Sequence, residues 1–138
     1  MNDILKYLID YCAFLYNEYE FKFIDSYSSK EFNGQGLLIL KNDILNLKFI
    51  NDRGQLFLDF KGNYHSNEND WFSFDLIKQM LSPSDIGDSI MNKEKSYWLK
   101  ENMGPILHLF SVENSLKTIN KLKGLEGERA NRMFGKIK

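Results

Sequence analysis

Apolar residues return at helical spacing at the start of the chain. Ile4, Leu5, Leu8, Ile9, Cys12, Leu15 and Tyr16 share one face of a helix predicted over residues 3–16, with Asp3 near its positive N-terminal end. From Tyr19 to Tyr27 the period changes to two: Tyr19, Phe21 and Phe23 alternate with Glu20 and Lys22, as in a half-buried strand. Ser28 to Gly36 holds two glycines and few apolar residues and predicts a loop. Three strand signals follow: the apolar run Leu37–Lys41, then Leu45, Leu47 and Phe49 alternating with Asn46 and Lys48, then Leu56, Leu58 and Phe60 alternating with Phe57 and Asp59. Asn42-Asp43 and Asn51-Asp52-Arg53-Gly54 separate them, and these residue types tolerate positive φ and bond their own backbone. Turns this short join antiparallel neighbours, so residues 19–61 predict a four-stranded meander.

Beyond the sheet, Gly62–Asp70 is polar throughout. Trp71, Phe74, Ile77, Met80 and Leu81 then form a short helical stripe that Ser82-Pro83 ends, because proline cannot continue a helix. Ser84–Asn92 is a second polar loop. Residues 93–110 and 112–134 predict two longer helices, the first interrupted or kinked near Gly104-Pro105. The second takes Ser111 as its N-cap and Leu116, Ile119, Leu122 and Leu125 as its apolar stripe. The expected fold class is α+β: an N-terminal helix, a four-stranded antiparallel meander, then three C-terminal helices packing on the sheet. No repeat, low-complexity tract or linker interrupts the pattern, so residues 1–138 are expected to form a single domain.

Composition sharpens this picture. Hydrophobic residues make up 43% and aromatics 14%, enough large apolar surface to require a core. The lone cysteine, Cys12, can build neither an intrachain disulfide nor a cysteine metal cluster, which fits a reducing compartment. Met1-Asn2-Asp3-Ile4-Leu5-Lys6 and the charges that follow break every apolar run short of a signal segment or membrane span, so a cytoplasmic location is expected. Net charge is −1 but unevenly placed: 14 acids and 8 bases through Asn92 give −6, and 5 acids and 10 bases from Lys93 give +5. Such polarity suits either a partner footprint or ordinary solvated surfaces.

Candidate chemistry is sparse. His65, Glu68 and Asp70 lie close in sequence but lack the rigid spacing of a zinc motif. His108, in Leu107-His108-Leu109-Phe110, has no nucleophile or second histidine in a matched pattern. Gly34-Gln35-Gly36 precedes a strand, whereas phosphate loops follow one and open a helix. Asp59-Phe60-Lys61 with Asp43 upstream matches the acid-then-acid-x-Lys pattern of Mg²⁺ nucleases, in which two carboxylates hold the ion and the lysine positions water. Against that alternative, the half of the chain carrying these residues is acidic, where a nucleic-acid path needs bases. Phe21, Phe23, Phe49 and Phe60 fall on one strand parity and are expected in the core. Lys117, Lys121, Arg129 and Arg132 share the last helix with Glu126 and Glu128, a self-paired solvated face. No cofactor or metal ion is expected, and the chain is not expected to be an enzyme.

The run from Leu45 to Phe60, Leu-Asn-Leu-Lys-Phe-Ile-Asn-Asp-Arg-Gly-Gln-Leu-Phe-Leu-Asp-Phe, is followed by Trp71-Phe72-Ser73-Phe74-Asp75-Leu76-Ile77. Together with Trp98-Leu99-Lys100-Glu101-Asn102, Leu122-Lys123-Gly124-Leu125-Glu126 and Arg129-Ala130-Asn131-Arg132-Met133-Phe134-Gly135, it resembles small bacterial immunity proteins of polymorphic-toxin and contact-dependent growth-inhibition systems. The resemblance implies a protein that binds the C-terminal domain of a cognate toxin in the cytoplasm and blocks its active site or substrate path. On that expectation the contact candidates are the loop acids Glu68, Asp70, Asp85 and Asp88, with Asp52 and Arg53 at the hairpin turn next. A general adaptor domain with a partner other than a toxin is the remaining alternative.

Overall fold

The computed structural model describes residues 2–28 and 36–135. Most of the predicted Ser28–Gly36 loop, including Gly34-Gln35, lies outside the described residues. Five helices and a five-stranded antiparallel sheet are found among them, an α+β fold with strand order β1-β2-β3-β4-β5. The central strands follow the alternation. In β2 (Gly36–Lys41), β3 (Leu45–Asp52) and β4 (Gln55–Gly62), the side chains of Leu38, Leu40, Leu45, Leu47, Phe49, Leu58 and Phe60 are buried on one face. Their neighbours Ile39, Lys48, Ile50, Phe57 and Asp59 are only half-buried on the other. Arg53 and Gly54 both take positive φ, 55° and 83°, which closes β3 onto β4 through a two-residue type I′ turn whose twist matches the strands. At the β2–β3 turn the Asn42 carboxamide oxygen accepts from the amides of Ile44 and Leu45, each at 2.9 Å.

The predicted N-terminal helix is two helices, α1 (Asn2–Tyr11) and α2 (Ala13–Tyr19). Cys12 breaks them at φ −128° and ψ 18°, with its side chain buried and its thiol donating to Ser96 Oγ at 3.6 Å. Burial pushes that thiol up to about 11, so it stays protonated and packs as a small apolar group. The bend lets Ile4, Leu8, Cys12 and Leu15 all face the sheet. The expectation of a strand from Tyr19 is corrected too. The helix runs to Tyr19, Glu20 takes φ 59° with its amide donating to the Leu15 carbonyl, and β1 begins only at Lys22, ending at Ser28. Phe21 is buried as expected, whereas Phe23 is 55% exposed, because β1 is an edge strand and its register slips between Phe23 and Asp25.

Pairing beyond β4 exceeds the predicted four strands. Phe72–Ser73 forms β5, set against Phe60 and Asp59, and only then does α3 (Phe74–Leu81) start. Next to β5 the 82–92 loop touches β4 as well, through a Phe57–Ile90 bridge and a 2.7 Å bond from the Met91 amide to the Leu56 carbonyl. α4 (Lys93–Leu109) is not interrupted at Gly104-Pro105: both residues are exposed, so the carbonyl left without a donor falls on the solvent side. Asn92 caps it, accepting from the Lys95 amide at 2.8 Å.

α5 (Ser115–Phe134) starts after Asn114, not at Ser111, with Ser115 Oγ donating to the Tyr64 carbonyl and Thr118 Oγ1 to the Leu109 carbonyl at 2.7 Å. Those anchors rotate the stripe, so Ile119 and Leu122 are buried and Leu116 is exposed. Leu76 and Ile77 of α3, Leu99, Met103 and Ile106 of α4, and Ile119 and Leu122 of α5 join the sheet's inner face in one buried cluster. Each such side chain contributes about 2 kcal/mol relative to an exposed position.

Gly62 lies close against Phe110 at the end of α4: an added Cβ would stand 2.8 Å from Phe110 Cδ1. Gly62→Ala is expected to lower stability by about 1–3 kcal/mol through overpacking. Urea unfolding checks this, and adding Phe110→Leu to the Gly62→Ala variant should recover part of the loss.

Candidate functional site

The six predicted contact residues separate to opposite ends of β4. Glu68 and Asp70 lie beyond its Gly62 end, whereas Asp52 and Arg53 sit at the turn before Gln55, and Asp85 and Asp88 lie in the loop that docks beside Phe57. Asp70 is a correction: it is buried, accepting from the Asn67 amide at 2.8 Å and facing Lys123 of α5 at 3.6 Å. It ties its loop to α5. Asp85 pairs with Lys78 at 3.1 Å. Asp88 accepts from Lys95 Nζ and from the Ile90 amide, and the Lys95 hydrogen bond holds its carboxyl below the usual carboxylate range. Arg53 is exposed and Asp52 half-buried, 3.8 Å apart. Glu68 is exposed. Three of the four loop acids therefore face a lysine of the chain itself, which weakens the expected acidic surface.

The acid-x-Lys alternative fares no better in its geometry. Asp59 and Lys61 do share the outer face of β4. Asp59, however, lies opposite Lys48, whereas Asp43 sits in the turn before β3, beside Tyr64 beyond the far end of β4, so the two carboxylates are not brought together. Among the described residues, no group of three or more His, Cys, Asp or Glu side chains lies close enough to hold a metal ion, His65, Glu68 and Asp70 included. No helix among the described residues is long and apolar enough to cross a membrane.

What the fold assembles instead lies where β4, β5, the 82–92 loop and the end of α5 meet. Phe57, Asp75, Ile86, Asp88, Arg129 and Phe134 help to line a groove of about 620 Å³. At its floor Arg129 Nη1 donates to both Asp75 oxygens, at 3.0 and 2.9 Å, and to Ser73 Oγ at 2.7 Å, while Ser73 Oγ also donates to Asp75. That knot fixes α5 against the start of α3. Beside it, on the outer face of the sheet, Lys48 stands 4.3 Å and Lys61 5.6 Å from the Trp71 ring, so the indole carries two cations on a surface that also holds Asp59. Ile86, Met133 and Phe134 remain exposed around the groove, Phe134 at 80%. The sequence singled out Asp88 here. It missed the apolar rim because the 84–92 segment and the last turn of α5 look polar, and only the fold brings Ile86 to Phe134.

Burial pushes the Asp59 carboxyl above the usual carboxylate range, with Lys48 and Arg129 pulling it back and Asp75 and Glu126 adding to the rise. A folded-state pKa above the unfolded one means that the stability Asp59 contributes is present at low pH and is lost as pH rises through the folded value. Asp59→Asn is therefore expected to be more stable than the natural chain at pH 7, with the difference closing on acidification. Urea midpoints measured at both pH values check this. An Asp59→Asn variant less stable at pH 7 would mean that Lys48 and Arg129 outweigh the burial.

The chain matches no family model, and no match to it was found among curated proteins or solved structures.

Proposed function

We propose that the chain is an immunity protein, a stoichiometric partner that binds a cognate bacterial toxin domain in the cytoplasm and blocks its active site or substrate path. The contact surface on this reading is the groove between the 82–92 loop and the end of α5. The observation that carries it is the rim: Ile86, Met133 and Phe134, each more than half exposed, surround one groove whose walls hold Asp75, Asp88, Glu126, Arg129 and Arg132. Large apolar anchors next to arginines, ringed by charges of both signs, are the composition of protein-binding hot spots. Asp52 and Arg53, at the same end of β4, extend the surface. The resemblance of Leu45–Phe60 and of the C-terminal segments to immunity proteins supports the same reading.

The test is co-expression with a toxin C-terminal domain encoded immediately upstream. Growth rescue and a one-to-one complex are expected. Met133→Ala with Phe134→Ala should weaken that complex at least tenfold, since loss of two anchors removes more than about 1.4 kcal/mol. Glu68→Lys, outside the groove, should leave it unchanged. Calorimetry on the purified pair measures both. A complex with no rescue would assign the chain to adaptor binding, and no complex at all would end the immunity reading.

A further inference from the structure

The opposite edge of the sheet carries a second surface, independent of the groove. Three adjoining depressions lie where α1 and α2 meet β1 and β2. One includes Tyr16 and Ile24, the next Leu5, Phe23 and Ile24, and the third Ile9, Tyr16 and Phe23, so shared residues join them into one patch. Ile9 is 74% and Tyr16 63% exposed, and Phe23 and Ile24 are more than half exposed. Side chains of this size, so exposed, offer on the order of 400 Å² of apolar area, close to the apolar share of the ~800 Å² that each partner gives to a stable interface.

Strand addition to this edge is disfavoured. The register slip at Ile24 disrupts the ladder, and Lys22 and Asp25 put charges on the strand. Contact through side chains is what remains. The polar groups at the border are Glu20, Asp25 and Asp43 against Lys22 and Lys41, a near balance that selects no strongly charged partner and lets acids meet bases across a two-fold axis. We propose that this patch packs against the same patch of a second copy, forming a two-fold dimer through α1, α2 and β1.

Sedimentation equilibrium of the full chain at on the order of 100 μM, well above a micromolar Kd for an interface of this size, tests it. The expected mass is twice the 16.3 kDa of the chain. Ile9→Glu with Tyr16→Glu, both on exposed helical positions, should return it to 16.3 kDa with an unchanged circular dichroism spectrum. If that variant does not fold, Ile24→Glu at the slip carries the same test. Phe134→Glu, at the groove, should leave the dimer intact. A monomer at the highest concentration overturns the proposal. So does a dimer that survives the patch variants, or one that Phe134→Glu dissociates, which would place the contact at the groove.

Discussion

One face of the three central strands is apolar but for Asn51, and the structure is organised by the need to roof it. Leu45, Leu47, Phe49, Leu58 and Phe60 lose all exposure only because helices from both ends of the chain meet over them. The buried hydroxyls of that roof are each bonded. Ser96 is held by the Tyr7 hydroxyl and the Cys12 thiol, Ser115 bonds the Tyr64 carbonyl, and Thr118 bonds the Leu109 carbonyl. A buried hydroxyl without a partner costs about 1–3 kcal/mol, so these bonds determine which turn of each helix can face the sheet. The start of α5 shows the effect directly: Ser115 and Thr118 settle its rotation, and Leu116 is turned out to solvent.

The polarity of charge along the chain has its physical use inside the fold. Asp70 with Lys123, Asp75 with Arg129 and Asp88 with Lys95 each join an acid before residue 92 to a base after it. Surface pairs of this kind contribute little free energy, but three of them spread over two helices fix where α4 and α5 lie along the β4–β5 side. Asp75 and Arg129 contribute more, because the acid is nearly buried and the guanidinium bonds three oxygens. A −6 half and a +5 half that look like a partner's footprint in sequence are in good part each other's footprint.

Period and turn chemistry made the sheet's centre readable: the 45–49 and 56–60 alternations and the Arg53-Gly54 turn all appear as their residue types demand. What escaped was decided by tertiary contact. Cys12 breaks a continuous helical pattern at φ −128°, with its side chain buried beside Ser96. Phe23 keeps the inward parity of its strand and is still exposed, since parity gives a direction and not a cover. Two residues, Phe72 and Ser73, are too short a strand for any period to announce, and they pair only because the chain passes β4 there. The groove illustrates the same limit. Phe57, Ile86 and Phe134 are far apart in sequence, each is ordinary where it stands, and only the return of the 82–92 loop to β4 unites them.

The two edges of the sheet are finished by different means, and the difference bears on how binding would be organised. Beyond β4, the short β5, the Ile90 bridge and α5 close the edge, so what projects there is a groove with a fixed polar floor. At β1 residues 22–27 stay exposed, and the register slip with its flanking Lys22 and Asp25 guards the backbone while leaving Phe23 and Ile24 accessible. Four inter-strand spacings of about 4.8 Å put the edges roughly 19 Å apart, beyond the range at which separate contacts normally couple. A partner in the groove and a copy at β1 would then occupy the protein together, each chain of a pair presenting its own groove. Self-association would double the number of sites without changing the affinity of either.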